Sequence, residues 1–221
     1  MAQAMKLSRF FQKRTPGLFA FVKGMRLLYI NHSYLVTSGL MESYRRGYPC
    51  KADGTAVPWM NYSLITLLEE RLTEDVKLLE LGSGYSTLFF SRLVGSVTSI
   101  ESAGEWFETT RQMVGDSANL FLVESTETES YRKILEKLDD HFDVILIDGR
   151  NRVSCALLTS DMVTERGVIL FDDSMREEYK EGIDHLVDKG FKQLDFEGVK
   201  PTSIKLYRTS VFYKPGNCLG L

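Results

Sequence analysis

The residues whose types and spacing could do chemistry fall into two groups. Glu80 stands two positions before Gly82-Ser83-Gly84, and Glu101 lies twenty-one positions after Glu80. Further along, Asp148 follows the apolar run 142–147, and Asp172 and Asp173 follow a second run, 167–171, twenty-four and twenty-five positions beyond Asp148. A carboxylate can accept bonds from hydroxyl and ammonium groups, ligate a hard cation or take a proton. Two glycines so close together make a tight turn that lets a ligand approach the backbone.

These groups need elements to hold them. Residues 76–81 are a short apolar run that must stop at the glycines. Ser86 and Thr87 suit the first turn of a helix, and Leu88, Phe89, Phe90, Leu93 and Val94 give it an apolar face. The β-branched run 97–100 then ends on Glu101. A strand, a Gly-x-Gly turn, a helix and a second strand tipped with an acid make the nucleotide-binding half of a parallel α/β sheet. The periodicity predicts further strands at 120–123, 142–147 and 167–171, and helices at 64–71, 105–113, 130–138, 153–162 and 175–189. Two last strands, 191–196 and 204–213, are too close together for a parallel crossover and must form an antiparallel hairpin. Residues 1–45 read as mostly helical with a break near Pro16-Gly17, and the tail 215–221 as an extended surface segment. The chain therefore divides into a helical extension and loop, 1–57, and an α/β domain, 58–221.

The whole composition narrows the classes. With 43% hydrophobic and 26% charged residues, the 221-residue chain is globular, with enough length for one sizeable core. A net charge of -3 and a pI near 5.7 argue against nucleic acid as a partner. Cys50, Cys155 and Cys218 have no zinc or redox spacing, which fits a reducing cytoplasm. His32, His141 and His185 are structural or solvated. No apolar run approaches the ~20 residues of a membrane span. The N-terminus is basic and apolar: Lys6, Arg9, Lys13, Arg14, Lys23 and Arg26 precede the first acid, Glu42. Such a segment either rests on an anionic membrane surface or polyanionic partner, or packs on the core or on a second subunit of a homodimer.

A dinucleotide site wants a third glycine where this chain has Thr87, so the fingerprint of nicotinamide-dependent oxidoreductases is incomplete. The run Glu80-Leu81-Gly82-Ser83-Gly84, with Glu101, instead resembles the first two motifs of class I S-adenosylmethionine-dependent methyltransferases. That resemblance implies a Rossmann-like, mostly parallel seven-stranded sheet closed by the hairpin, and S-adenosyl-L-methionine as cofactor. It puts Glu80 near the cofactor's ammonium, Gly82, Ser83 and Gly84 against its methionine part, Ser86 and Thr87 beside them, and Glu101 on the ribose hydroxyls. Glu124, after the third strand, is the adenine candidate. Pro58-Trp59-Met60-Asn61-Tyr62 resembles the entry to the first core helix in bacterial methyltransferases associated with glycan modification, which makes Trp59 and Tyr62 candidates to cover the methionine end.

Gathering Asp148, Asp172 and Asp173 at one sheet edge is costly unless a cation compensates, and a hard divalent ion, Mg2+ most readily, is the natural choice. The pattern is similar to metal-dependent O-methyltransferases, which implies these three aspartates as ligands. Those relatives often carry a lysine or histidine base three residues after the first aspartate, where this chain has Asn151. The base is then Asp148 or one of Asp172 and Asp173, or water acting on a hydroxyl whose pKa the metal lowers, unless the chemistry is different. Arg150 and Arg152 suit either an anionic small-molecule or sugar substrate or salt bridges to the neighbouring aspartates. The reading that emerges is O-methylation of a hydroxyl. Its alternatives are an S-adenosylmethionine-binding scaffold without turnover and a nicotinamide-dependent oxidoreductase.

Overall fold

The computed structural model describes residues 12–138 and 140–221, and the expected helicity of residues 1–11 lies outside them. Strands β1 (Lys77–Leu81), β2 (Ser96–Glu101), β3 (Asn119–Leu122), β4 (Phe142–Ile147), β5 (Val163–Asp172), β6 (Lys192–Val199) and β7 (Leu206–Tyr213) form a seven-stranded sheet in the order β3-β2-β1-β4-β5-β7-β6. β1 to β5 pair in parallel, and β7 runs antiparallel to both β5 and β6. The helices are α1 (Pro16–Tyr29), α2 (Tyr34–Thr37), α3 (Leu40–Arg46), α4 (Tyr62–Arg71), α5 (Tyr85–Phe90), α6 (Gly104–Val114), α7 (Thr128–Leu138), α8 (Arg152–Thr159) and α9 (Lys180–Asp188). This is the Rossmann-like α/β layout, mostly parallel with an antiparallel C-terminal hairpin, that the pattern predicts.

Alternation along the central strands builds a core on each face of the sheet. Leu78, Val144, Leu146, Val168 and Leu170 pack with Leu64 and Leu68 of α4 and Phe89 and Phe90 of α5. Leu79, Ile145, Ile147, Ile169 and Phe171 pack with Tyr131 and Leu135 of α7, Cys155 and Ala156 of α8 and Leu186 of α9. Asn61 fixes α4 at both ends of its side chain: Oδ1 accepts from Leu64 N at 3.0 Å, and Nδ2 donates to Phe196 O at 2.9 Å. A helix start is thereby tied to the sheet's far edge.

Several boundaries differ from expectation, β5 starting already at Val163 and β6 running on to Val199. The tail is not an extended surface segment: Leu219 is buried in the core, Cys218 N bonds Arg166 O at 2.7 Å, and Asn217 caps the carbonyls of Lys214 and Leu221. The helix predicted from 175 is delayed, because Asp173 adopts a positive φ of 54° and Ser174 N is held by Arg208 O of β7. A short 3-10 turn, Glu177–Tyr179, then leads into α9. The helix after the glycine turn stops at Phe90, although Val94 still packs in the core.

Candidate active site

β1 lies at the centre of the site because its neighbours, β2 and β4, lead in opposite directions across the sheet. Beyond its tip the chains separate and leave a crevice, the usual ligand position in an open parallel sheet. The two tips approach closely. Gly149 N donates to Leu81 O at 2.5 Å, and a Cβ on Gly82, whose φ is +117°, would stand 2.9 Å from Gly149 N. Only glycine fits there.

The register of β1 on β2 sets Glu80 beside Ser99. Glu80 is buried, and its carboxylate accepts from Ser99 Oγ at 2.7 Å, from Thr87 Oγ1 at 2.5 Å and from Ser86 Oγ. Burial pushes its pKa up to about 7, against the pull of those hydroxyls. Thr87 Oγ1 also accepts from Gly84 N at 2.9 Å. The residue that replaces the third glycine thus laces the turn to Glu80.

Glu101, at the tip of β2, has Oε1 against Ser102 N (2.7 Å) and Ala103 N (2.8 Å), and Oε2 against Ser83 Oγ (3.0 Å). Trp106 of α6 donates from Nε1 to Ser83 O at 2.6 Å, and its ring lies 3.1 Å from where a Gly84 Cβ would be. The Tyr85 ring is stacked on Tyr48 at 5.1 Å and stands edge-on to Trp59 and Trp106. Trp59 is held by a 3.0 Å bond from Nε1 to Thr202 Oγ1. Trp106 and Tyr85 were not legible as site residues, since nothing in a helix face marks one aromatic as core and another as rim.

Glu80, the glycine turn, Glu101, Tyr85, Trp59 and Trp106 line one cleft of about 500 Å³, with Asp148, Gly149, Arg150, Arg152, Asp172, Asp173 and Lys200 at its other end. The cleft is within the usual size range for a small-molecule site. Thr87 is buried beneath the turn and does not line the cleft, and two further sequence candidates lie elsewhere. Tyr62 is buried, edge-on to Tyr34, and borders a separate cavity of about 280 Å³. Glu124 is exposed in the loop after β3 and is not among the residues lining the cleft.

β4 and β5 deliver the three aspartates together, but with cations of the chain's own. Arg152, nearly buried, donates from Nη2 to Asp148 Oδ1 at 2.7 Å and to Asp148 O at 2.9 Å, from Nε to Gly149 O at 3.1 Å, and from Nη1 to Asp172 O. Lys200, from the β6–β7 connection, has Nζ 3.1 Å from Asp173 Oδ1 and 3.6 Å from Asp172 Oδ2. Arg176 pairs with Asp173, and Thr209 Oγ1 donates to Asp172 Oδ1 at 2.6 Å. Enclosure, and Asp172 beside it, hold Asp148 well above the ordinary carboxylate value, against the pull of Arg152.

The donor set therefore does not fit the expected Mg2+. Among the described residues no three His, Cys, Asp or Glu side chains converge to hold a metal, and Arg152, Lys200 and Arg176 already neutralise the aspartates. Arg152 is directed inward as a clamp on two strand ends, whereas Arg150 is exposed and lines both this cleft and a wider neighbouring groove. Asn151 adopts a positive φ of 56° and bonds Thr126 O at 3.0 Å, so it anchors a loop. Lys200 escaped the sequence reading because it lies in a turn fifty-two positions from Asp148.

No protein-family model and no curated protein matches the chain. Among solved structures, it is similar to precorrin-6y C5,15-methyltransferase from Geobacter metallireducens, with a TM-score of 0.57 and 18% identity over 70% of this chain and 88% of that one. It is also similar to an O-methyltransferase from Bacillus cereus solved with SAH, with a TM-score of 0.55 and 16% identity over 87% and 97% of the two chains. A methyltransferase from Pyrococcus furiosus gives a TM-score of 0.52 and 17% identity over 88% and 98%. The chain has the fold of these methyltransferases.

Proposed function

We propose that the chain is an S-adenosylmethionine-dependent methyltransferase that methylates a hydroxyl of a small, anionic molecule such as a sugar acid. One observation carries this reading: a single cleft joins the Gly82–Gly84 cradle and the Glu101 carboxylate to Asp148 and Lys200 at the neighbouring strand ends. The cradle fits the cofactor, because glycines at 82 and 84 are required by the close approach of Gly149 and Trp106 and leave backbone facing the cleft. Glu101 and the glycine turn would hold the ribose and methionine parts. Glu80 makes the floor, and the rings of Tyr85, Trp59 and Trp106 suit a cationic sulfonium. When bound, the cofactor supplies an electrophilic methyl group.

The chain's own residues do the rest. Asp148, whose side chain is a quarter exposed, faces the cleft and takes the proton of the acceptor hydroxyl, and enclosure and the neighbouring Asp172 make its carboxylate a stronger base than an ordinary one. Arg152 fixes that carboxylate in place, and Lys200 and Arg150 draw an anionic acceptor toward it. Titration calorimetry tests the reading. S-adenosylmethionine and its demethylated product should bind and NADH should not, with Glu101→Gln weakening the former roughly tenfold or more. Binding of NADH in place of S-adenosylmethionine would overturn it. Release of S-adenosylhomocysteine across a panel of hydroxylated carboxylates and neutral sugars then ranks the acceptors.

A further inference from the structure

Among the described side chains of α1, none packs in the core. Leu18 is 61% exposed, Phe21 65%, Val22 50%, Met25 38% and Tyr29 65%. Their spacing of three, four, seven and eleven from Leu18 places all five on one stripe of the helix. Lys23 and Arg26 fall to one side of that stripe, and Lys23 Nζ lies 5.6 Å from the centre of the Phe19 ring. So large an apolar stripe on an exposed helix calls for a partner. No helix among the described residues is long and apolar enough to cross a membrane, and α1, with 14 residues, is about 21 Å long.

We propose that α1 lies in the surface of an anionic lipid bilayer, with its apolar stripe toward the acyl chains and its cations among the headgroups. Charge decides between this occupant and a second copy of the chain. The first 41 residues hold six Lys and Arg and no Asp or Glu. A symmetric pair of α1 helices would bring Lys23 and Arg26 near their own copies without a carboxylate from either segment. Anionic headgroups supply the missing charge, and an amphipathic helix with cations on its polar side binds such an interface. The excess acid of the chain lies wholly outside this segment, so the body is held off the anionic surface while α1 makes the contact.

The test is co-sedimentation of the full chain with vesicles of phosphatidylcholine alone and with about one third phosphatidylglycerol, alongside light scattering of the chain without lipid. Binding should require the anionic lipid and weaken as salt is raised. The pair Phe21→Ser and Met25→Ser should lower partitioning roughly tenfold, and Lys23→Glu with Arg26→Glu should do the same. Because these side chains are exposed, both variants should keep the parent's melting temperature. Three results would overturn the proposal: no binding to the anionic vesicles, binding that survives the serine pair, or a dimer in solution that the serine pair dissociates.

Discussion

Glu80 is a carboxylate buried under three hydroxyls, and its proton is sensitive to the folded state. Its folded value is raised from 4.5 to about 7, with burial the chief cause. The native state therefore holds this proton more tightly than the unfolded chain. The stability this contributes is fully present below pH 4.5 and is lost as pH rises through about 7, a change on the order of 3 kcal/mol. Glu80→Gln keeps the shape and removes the charge. Denaturant melts between pH 5 and 8 should show the parent losing stability over that window relative to the variant. Parallel pH profiles for the two proteins would mean that Glu80 does not hold the raised value. The same burial suits the proposed role, since a cationic ligand near the floor would favour the ionised form.

At the scale of the element, the glycine turn is a strand end, a tight loop and a short helix laced by Thr87. Thr87 Oγ1 takes Gly84 N and gives to Glu80, so the turn is pinned on both sides. Thr87→Gly would restore the third glycine of a dinucleotide fingerprint, yet it removes both bonds and adds backbone freedom. It should cost roughly 2–3 kcal/mol in denaturant unfolding, whereas Thr87→Ser should stay within about 1 kcal/mol. A neutral Thr87→Gly would show that the hydroxyl does not brace the loop. Much of this element was legible in the sequence because its signals are local. The apolar run stops at Gly82, and the acid closing the next run stands at its tip. The turn's partners were not legible. Ser99 reaches Glu80 only through the register of β2, and Trp106 reaches Ser83 only because α6 folds back over the loop. The delayed start of α9 has the same origin, since Ser174 is held by a carbonyl on β7.

Across the whole molecule, the acidic end of the cleft is assembled from segments far apart in the chain. The three aspartates could be read as strand tips, and their gathering at one edge was foreseeable. Of their counter-charges, Arg152 was foreseeable as a salt bridge to the neighbouring aspartates, whereas Lys200 was not, because it arrives from the β6–β7 connection. Removing like charges from water is costly without compensation, and here the chain compensates internally. Lys200→Met leaves Asp172 and Asp173 to Arg152 and Arg176 and takes a cation from the acceptor end, while the glycine cradle and Glu101 lie at the other. Turnover should fall roughly tenfold or more with S-adenosylmethionine affinity within about twofold of the parent, and Lys200→Arg should recover part of it. Chelator should leave turnover of the parent protein unchanged, because the charge a divalent ion would neutralise is already paired. Loss of turnover on chelation that returns with Mg2+ would sink this account of the aspartates. Equal loss of turnover and cofactor affinity in Lys200→Met would instead place the lysine in holding the cleft together, not in presenting the acceptor.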